Sequence, residues 1–344
     1  MPNVSPKNRP PLSTSTGPSG HPEGIASDSP SGAPSGGQNG QTDLQAEVSI
    51  VGCGWLGFAV AQRLIQLEVR VAGSTTTPKK LAGLRSIGVD SALLRLDPPA
   101  DGDGDESPHH NSEPLKRLFA APQMVVTIPP PAFDEAASYV SNLTELVARW
   151  TPVGAAHLIF ISSTSVYGDA NGPTDESLAP DPTTSSARLM YAAELALGDA
   201  CRTKQIRLSV IRSAGQIGFG RHPGRFLAGK ANVANPDVAV NIIHQSDLAE
   251  CVAQLIMQTH RPAVNSTLAK TNVEIYNAAA NTHPTRRDFY EAASRTLNLA
   301  APSFAQQDKS QLPGKLIHSE KIRKQLNLKF QFDDLMAIAM GKLS

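Results

Sequence analysis

A glycine-rich stretch constrains the fold of this chain more than any other feature. Residues 52–57 read GCGWLG, directly after the apolar run Val48–Val51 and directly before a helical pattern. Gly52 allows a tight turn off the strand, Gly54 lets the backbone approach an anion, and Gly57 lets the helix pack close to the sheet. The helix N-terminus then offers free N–H groups and the positive end of its dipole to a pyrophosphate. The stretch therefore predicts a βαβ unit that binds a dinucleotide.

The rest of the chain alternates short β-type runs with helical patterns. The further runs are Val69–Gly73, Ala92–Leu96, Met124–Ile128, Leu158–Ser162 and Leu208–Ile211. The helical patterns include Phe58–Leu67, Phe133–Trp150, Asp247–Gln258 and Pro284–Leu297. Continuous apolar strands alternating with helices predict an α/β fold, a Rossmann-type doubly wound parallel sheet covered on both faces. The alternation loosens after about Ala214, which predicts a smaller C-terminal substrate lobe over the carboxyl ends of the strands.

Composition divides the chain into segments. Residues 1–43 are dominated by Pro, Ser and Gly and hold too little apolar surface to fold, so we expect a disordered tail. Residues 98–114 form an acidic, polar stretch that is typical of a surface insertion. We expect the Rossmann domain over residues 44–214. A mixed substrate lobe over 215–344 would follow, with elements returning to the Rossmann core at about 238–260.

Charge and cysteine content limit the class of partner and the compartment. The chain has 31 basic and 31 acidic side chains, so no net field attracts nucleic acid or an anionic membrane. Cys53, Cys201 and Cys251 have no metal-site spacing and cannot all pair, which favours a reducing compartment. The adjacent His109 and His110 lie in the acidic insertion and are typical of solvated residues, so no metal site is predicted.

The sequence also bears on membrane insertion and secretion. No apolar run reaches the roughly 18 to 20 residues of a membrane span, and the N-terminal stretch lacks the apolar region of a secretory signal. We therefore expect a cytoplasmic protein whose partner is a small-molecule substrate, not nucleic acid or a membrane.

The end of the second predicted strand bears on which dinucleotide is bound. A site selective for NAD usually places Asp or Glu about 20 residues after the glycines, to bind the ribose 2′-hydroxyl. Here residues 74–80 read STTTPKK, without an acid. Hydroxyls with Lys79 and Lys80 suit a 2′-phosphate, so NADP is the predicted cofactor; the lysines equally suit a solvated helix start, and NAD stays open. The predicted cofactor contacts are Gly52, Cys53, Gly54, Trp55, Leu56, Gly57, Ser74, Thr75, Thr76, Asp97, Ile128, Pro129 and Pro130.

Longer blocks resemble a known superfamily. FISSTSVYGD at 160–169, followed by TDESLAPDP, resembles the strand-and-loop signature of extended short-chain dehydrogenases/reductases, the epimerase/dehydratase group. IVGCGWLG, TIPPP, GRHPGRFLAGK, NIIHQSDL and HPTRRDFY together resemble its YeeZ-like atypical branch. The resemblance covers roughly residues 46–335 and implies a Rossmann-type fold with an NAD(P) cofactor. Extended members carry GxxGxxG, whereas Val51 stands at the first of those positions, a departure that the atypical branch shares.

The resemblance also locates the expected catalytic residues, and this chain departs from them. Hydride enzymes of the superfamily use a Tyr-x-x-x-Lys pair on a helix with a Ser or Thr from the preceding strand. Ser163 matches that hydroxyl. Alignment of the AAE at 192–194 places Ser186 at the tyrosine position and Met190 at the lysine position, and neither can replace the original group. Tyr167 is the candidate surrogate acid, with a packing role as the alternative.

Other polar residues belong to the predicted substrate lobe. The GRHPGR block offers Arg221, His222 and Arg225, which relatives use for a phosphate or carboxylate and which are otherwise rim charges. Asp247 stands three residues before Glu250 at a helix start, which predicts a capping box.

Arg286 and Arg287 follow a proline at a further helix start, and for these two we expect solvated charge.

Two functions of different classes remain open. The first is an NADP-dependent oxidoreductase or epimerase-like enzyme on a small anionic or sugar-derived carbonyl substrate, with Ser163 orienting the oxygen and Tyr167 or water handling the proton. The second is a catalytically inactive dinucleotide-binding sensor or regulatory protein. The intact glycine loop and the GRHPGR block favour the enzyme, whereas Ser186 and Met190 favour the sensor. The superfamily commonly forms homodimers through two helices per subunit, so the resemblance also implies a homodimer.

Overall fold

The computed structural model describes residues 45–96, 112–130, 136–260, 273–306 and 313–341. The predicted tail at 1–43, most of the insertion at 98–114 with His109 and His110, and the predicted cofactor contact Asp97 lie outside these ranges.

The described strands and helices alternate over most of the chain. The strands are β1 (Val48–Val51), β2 (Val71–Thr75), β3 (Asp90–Leu93), β4 (Gln123–Val126), β5 (His157–Ser163), β6 (Gly172–Thr174), β7 (Arg207–Ser213), β8 (Gly215–Ile217), β9 (Ile242–His244), β10 (Val273–Ala278) and β11 (Lys315–Ile317). The helices are α1 (Trp55–Gln66), α2 (Leu81–Ser86), α3 (Glu113–Ala120), α4 (Ala136–Arg149), α5 (Ser185–Thr203), α6 (Gln245–His260), α7 (Arg286–Thr296), α8 (Glu320–Leu326) and α9 (Leu335–Ala339). In the part of the chain described, no helix is long and apolar enough to cross a bilayer.

A seven-stranded parallel sheet organises the molecule, in the order β10-β7-β5-β4-β1-β2-β3. Two separate clusters of buried apolar side chains pack on it. The predicted α/β doubly wound fold of Rossmann type is therefore confirmed. The chain leaves β1 in one direction for β2 and β3 and in the other for β4 and β5. A crevice opens outside the carboxyl ends of strands where the order reverses in this way, and such folds bind ligands there.

Several element boundaries differ from the predicted ones. β2 begins at Val71 and not at Val69, because the Val69 N–H donates to the Leu64 carbonyl at 3.0 Å and closes the end of α1. Glu68 makes this turn with a positive φ of 62°. The edge strand β10 was not predicted at all. Its first three residues are partly exposed and only its last three are buried, so its composition is too mixed to read as a buried strand.

The chain after β7 contributes both to the main sheet and to a cluster of its own. β10 adds to the sheet edge, and α6 belongs to the core cluster that contains α1. A third apolar cluster joins β8, α7 and α9 through Ile217, Phe289 and Leu335. Two further parallel pairs, β6 with β11 and β8 with β9, connect distant segments in this region.

Asp247 does not form the predicted capping box, and that prediction is wrong. α6 begins two residues earlier, at Gln245. The buried Asp247 carboxylate accepts from the backbone N–H groups of Gln331 at 2.8 Å and Phe332 at 2.9 Å. Glu250 forms an ion pair with Arg63 of α1 at 2.5 Å. Asp247 therefore joins the C-terminal segment to α6 by hydrogen bonds, and Glu250 joins α6 to α1 by an ion pair.

A buried histidine predicts how stability depends on pH. His157 of β5 is 1% exposed, and its Nε2 lies 2.9 Å from Ser209 Oγ. Burial, helped by the charge of Arg207, lowers its pKa from 6.5 to about 3. Between these two pKa values the unfolded chain binds a proton at this histidine and the folded chain does not. The folded state therefore loses stability relative to the unfolded state as the pH falls from 6.5 towards 3. We expect this proton uptake to lower the free energy of unfolding by about 2 kcal/mol when the pH falls from 7 to 5.

Urea unfolding at both pH values tests this for His157→Gln, which should lose most of that pH-dependent difference. His318→Gln is the matched control, because it replaces an exposed histidine by the same residue. An equal pH dependence in wild type and His157→Gln would contradict the assignment. Burial also lowers the pKa of His244 to about 4, so we expect His157→Gln to keep part of its acid sensitivity.

Candidate functional site

A cavity of about 600 Å³ lies at the carboxyl ends of the strands, where β1 and β4 diverge. Its walls come from the glycine loop, the ends of β2, β4 and β5, and faces of α4 and α5. The predicted cofactor contacts that line it are Gly52, Cys53, Gly54, Trp55, Leu56, Ser74, Thr75, Thr76, Ile128, Pro129 and Pro130. Gly57 is not part of the lining. Eleven positions named from sequence therefore surround one space.

The glycine loop is held by close backbone packing. Gly52 has a positive φ of 95°, and its carbonyl accepts from Thr127 Oγ1 at 2.6 Å. A Cβ added at Gly57 would lie 2.5 Å from that same carbonyl oxygen and 2.9 Å from Thr127 Oγ1. Such distances are far below van der Waals contact, so only glycine lets α1 approach β1 this closely.

Gly54 stands in a different environment from its neighbours. A Cβ there would meet only the Gly52 carbonyl oxygen, at 3.8 Å, so protein does not fill the space beside it. Gly54 precedes α1, which has no side-chain cap and no acidic residue in its first turn. The N–H groups and the positive dipole end of α1 therefore remain open to an anion at the cavity wall. These features fit a pyrophosphate.

Hydroxyls and one lysine form the cavity wall at the end of β2. Ser74 and Thr75 are buried, and Ser74 Oγ accepts from the Gly52 N–H at 3.2 Å. Thr76 is exposed and lines the cavity with Lys80, whereas Lys79 does not line it. No Asp or Glu occurs among the described residues of the lining. This wall offers neutral and positive groups to whatever binds beside β2.

The aligned catalytic positions meet at the other end of the cavity. Ser163 ends β5, while Ser186 and Met190 lie one turn apart on α5, and all three line the cavity. Ser163 Oγ accepts from the Ser165 N–H at 3.1 Å, which leaves its own O–H for a ligand. The geometry thus brings together the three residues that sequence alignment related to the family's catalytic set, but with a serine and a methionine in place of the tyrosine and lysine.

Tyr167 lies outside the cavity lining. It is 1% exposed, and its hydroxyl donates to Asn277 Oδ1 at 2.8 Å. The Arg212 guanidinium carbon lies 4.9 Å from the ring centroid. Burial raises the pKa of the phenol, against the lowering effect of Arg212. A buried, hydrogen-bonded phenol of this kind packs the interior and does not reach a ligand beside Ser163.

A buried ion pair supports the strand ends behind the cavity. Arg212 of β7 and Glu194 of α5 meet at 2.7 Å between Nη2 and Oε2, with side-chain exposures of 2% and 5%. Ser162, which lines the cavity, donates its hydroxyl to Glu194. The pair is internally neutral and its acceptors are occupied, so it holds the ends of β5 and β7 in place and adds no free charge to the cavity.

Sequence reasoning missed Tyr139, which also lines the cavity. Its hydroxyl donates to the Ile128 carbonyl at 2.9 Å and lies 3.6 Å from Met190 Sδ. Burial raises the pKa of this phenol. The helical spacing of Tyr139 with the buried Leu143 and Leu146 identifies a core face of α4, but it gives no sign that part of this face reaches a cavity.

The GRHPGR block brings one of its three predicted substrate residues to the cavity. Arg221 lines it, with its guanidinium carbon 4.7 Å from the Trp55 ring centroid. His222 instead caps the short 3₁₀ helix Pro223–Arg225 by accepting from the Gly224 N–H at 3.1 Å, and burial lowers its pKa. Arg225 is exposed at the end of that helix. Only Arg221 is therefore in position to meet an anion bound at the glycine loop.

The expectation of solvated charge at Arg286 and Arg287 is wrong, since both are half-buried. Arg286 Nη1 donates to the Ala234 carbonyl at 3.1 Å. The Arg287 guanidinium carbon lies 5.2 Å from the Phe304 ring centroid. Arg286 therefore contacts the segment before β9 and Arg287 contacts the segment after α7, which the helix-start pattern alone does not reveal. Among the described residues, no group of three or more His, Cys, Asp or Glu side chains could hold a metal ion.

Comparison with known proteins identifies relatives of this chain. No family model matches it. Protein YeeZ of Escherichia coli K12 is 33% identical over 295 residues, which cover 86% of this chain and 99% of YeeZ. A structure of a putative NAD-dependent epimerase/dehydratase from Methylobacillus flagellatus is similar with a TM-score of 0.60 and 22% identity, covering 87% and 97% of the two chains. A UDP-glucuronic acid 4-epimerase from Bacillus cereus, in complex with NAD, has a TM-score of 0.64 at 15% identity, covering 86% and 97%.

The two glycines of the loop form a matched pair for mutation. Gly54→Ala adds a methyl group on the cavity side, so we expect a folded protein whose dinucleotide affinity falls about ten-fold or more. Gly57→Ala forces a methyl group onto the Gly52 carbonyl, so we expect a lower Tm before any ligand is added. Thermal unfolding with and without dinucleotide measures both effects. Unchanged dinucleotide affinity in folded Gly54→Ala would contradict this assignment of the loop.

Proposed function

The chain belongs to the YeeZ-like, epimerase-like branch of the atypical short-chain dehydrogenases/reductases, and we propose that it binds a nicotinamide dinucleotide, preferentially NADP, in the cavity between β1 and β4. The main support for this proposal is the geometry at the N-terminus of α1. The uncapped N-terminus of α1 meets a protein-free space beside Gly54, at the switch point of a doubly wound sheet. The NAD complex of the similar Bacillus cereus epimerase supports a nicotinamide dinucleotide as the class of ligand.

The preference for NADP rests on the wall at the end of β2. Lys80 and the Thr76 hydroxyl line the cavity there, and no carboxylate among the described lining residues competes for the ribose. A carboxylate would accept from a 2′-hydroxyl and repel a 2′-phosphate, whereas an ammonium group attracts the phosphate. The same wall binds NAD less tightly, since the 2′-phosphate interaction with Lys80 is then lost.

Room for a second ligand favours an enzyme. The cavity continues past the glycine loop to Ser163, Ser186 and Gln216, with Arg221 at its edge. A bound dinucleotide supplies hydride chemistry, and a small carbonyl or sugar-derived substrate fits beside it. The Ser163 hydroxyl donates to the substrate oxygen, and the positive charge of Arg221 attracts anionic ligands into the main cavity. Water exchanges the proton, since Tyr167 is buried on Asn277.

The alternative is a dinucleotide-binding sensor or regulatory protein. Ser186 and Met190 occupy the positions of the superfamily's proton-transfer pair, and the phenol of Tyr139 hydrogen-bonds a backbone carbonyl. Neither residue on α5 tunes a phenol or carries a proton near neutral pH. In this case binding of the dinucleotide, and not turnover, is the function.

The proposal extends to the setting in which the protein works. All three cysteines are unpaired and buried, as suits the reducing interior of a cell, and we propose a cytoplasmic location. A small molecule is the proposed partner, with no role for nucleic acid or membrane, and a homodimer is the assembly that the family resemblance implies.

Thermal shift tests the cofactor preference. Because a ligand that binds only the folded state raises Tm by mass action, we expect NADP to raise it more than NAD at equal concentration. Lys80→Ala should remove most of that difference, whereas Lys79→Ala, the matched control outside the lining, should keep it. A Tm that neither dinucleotide changes would refute the proposed function, and an equal response to both would refute only the preference.

An assay of NADPH turnover distinguishes the enzyme hypothesis from the sensor hypothesis. Oxidation of NADPH is followed by its absorbance with a panel of small keto acids, aldoses and nucleotide sugars. We expect turnover to fall about ten-fold in Ser163→Ala, from loss of one hydrogen bond, and to persist in Tyr167→Phe, whose hydroxyl contacts only the interior. Dinucleotide binding without turnover across the panel would favour the sensor. Turnover that is lost in Tyr167→Phe while binding and Tm are retained would contradict the packing role.

A further inference from the structure

A second cavity, of about 190 Å³, lies next to the first. It is lined by β8, by residues 239–242, and by the side chains of Phe226, Arg286 and Tyr290. Typical pockets for whole small molecules measure about 300 to 1,000 Å³. This space is therefore large enough for one substituent of a ligand and too small for a complete nucleotide.

The cavity contains a cation with spare hydrogen-bonding capacity. Arg286 donates from Nη1 to the Ala234 carbonyl, and none of the ion pairs among the described residues includes it. A guanidinium has five N–H donors, so most of the Arg286 fork remains for another acceptor. Arg286 and Tyr290 lie four residues apart on α7, and both line the cavity. Burial raises the pKa of the Tyr290 phenol, and the positive charge of Arg286 opposes that rise. A cation beside a phenol O–H is suited to an oxyanion.

Gln216 connects this space to the proposed reaction end of the main cavity. It lines both cavities, and its Nε2 donates to Ser213 Oγ at 3.2 Å. Ser213 of β7 is the direct partner of Ser163 of β5 in the sheet register. A group held by Arg286 is thus separated from the Ser163 end of the main cavity by one amide side chain.

We propose that the Arg286–Tyr290 cavity binds the carboxylate or phosphate group of the substrate, whose reacting carbon lies in the main cavity beside Ser163. This inference rests on the proposed function for the position of the reacting carbon, but not for the anion site itself. It narrows the substrate to a small molecule with an anionic oxygen group a few bonds from its carbonyl or hydroxyl. Gln216 lies between the two groups and orients the substrate between them.

Inorganic phosphate and acetate are the probes for this site. Thermal unfolding is followed as each anion is titrated at constant ionic strength, with saturating NADP to occupy the glycine loop. We expect phosphate to raise Tm, and the concentration for half the effect to rise about ten-fold in Arg286→Gln. Tyr290→Phe removes only the phenol O–H and should weaken phosphate binding by a smaller factor than Arg286→Gln does. Arg225→Gln is the matched control, because Arg225 is exposed and lines neither cavity.

The outcomes separate this inference from the proposed function. A phosphate response that depends on Arg286 supports the anion site even where NADP fails to bind, a failure that would count against the proposed function alone. A stronger response to phosphate than to acetate identifies a phosphate ester as the substrate group, and the reverse identifies a carboxylate. An absent response in wild type, or an equal response in wild type and Arg286→Gln, overturns the inference.

Discussion

The contact between Gly57 of α1 and the carbonyl of Gly52 is the constraint on which the site depends. Because no side chain separates them, α1 leaves β1 with its N-terminus directed at the carboxyl edge of the sheet. Thr127 binds the same carbonyl and thereby fixes β4 to the loop. At the switch point between β1 and β4, backbone packing therefore fills the space between α1 and β1, and the side that faces the cavity is open to a ligand. Gly54 extends this opening, since protein leaves the space beside it unfilled.

Buried polar contacts stabilise the opposite wall without supplying chemistry. The Glu194–Arg212 pair binds α5 to β7, and the Tyr167–Asn277 hydrogen bond joins the segment after β5 to β10. Removing one partner of a buried pair leaves an uncompensated charge, so such a network favours a single arrangement of the strand ends. From β5 and α5, the polar side chains that reach the cavity are serine hydroxyls, beside the thioether of Met190. The wall is therefore well suited to hold a ligand in one orientation, and any proton transfer falls to water or to the ligand itself.

Local pattern was sufficient for the fold and for the glycine loop. Apolar strand runs that alternate with helices specify a parallel sheet, and the loop spacing encodes a tight turn, an open approach and a close packing contact within six residues. The positions of Ser186 and Met190 followed from alignment of the AAE at 192–194 with the family that the chain resembles. Because a helix presents residues four apart on one face, both side chains reach the same cavity.

Contacts between distant segments were not predictable in the same way. Tyr139 reads as a core residue of α4, and only the assembled sheet brings it against Met190 of α5. Arg286 reads as a solvated helix start, yet it donates to a carbonyl of the segment before β9 and lines a cavity with that segment. Asp247 has the spacing of a cap but binds the backbone of Gln331 and Phe332, more than eighty residues away. Short-range spacing cannot distinguish these outcomes, because the competing partners are supplied by the tertiary fold.

A crystal structure of the chain grown with NADP would show whether the cavity binds the cofactor as proposed. We expect the pyrophosphate at the N-terminus of α1, within hydrogen-bond distance of backbone N–H groups after Gly54, with the 2′-phosphate beside Lys80. A dinucleotide bound elsewhere, or crystals in which saturating NADP leaves this cavity without the cofactor, would contradict this proposal.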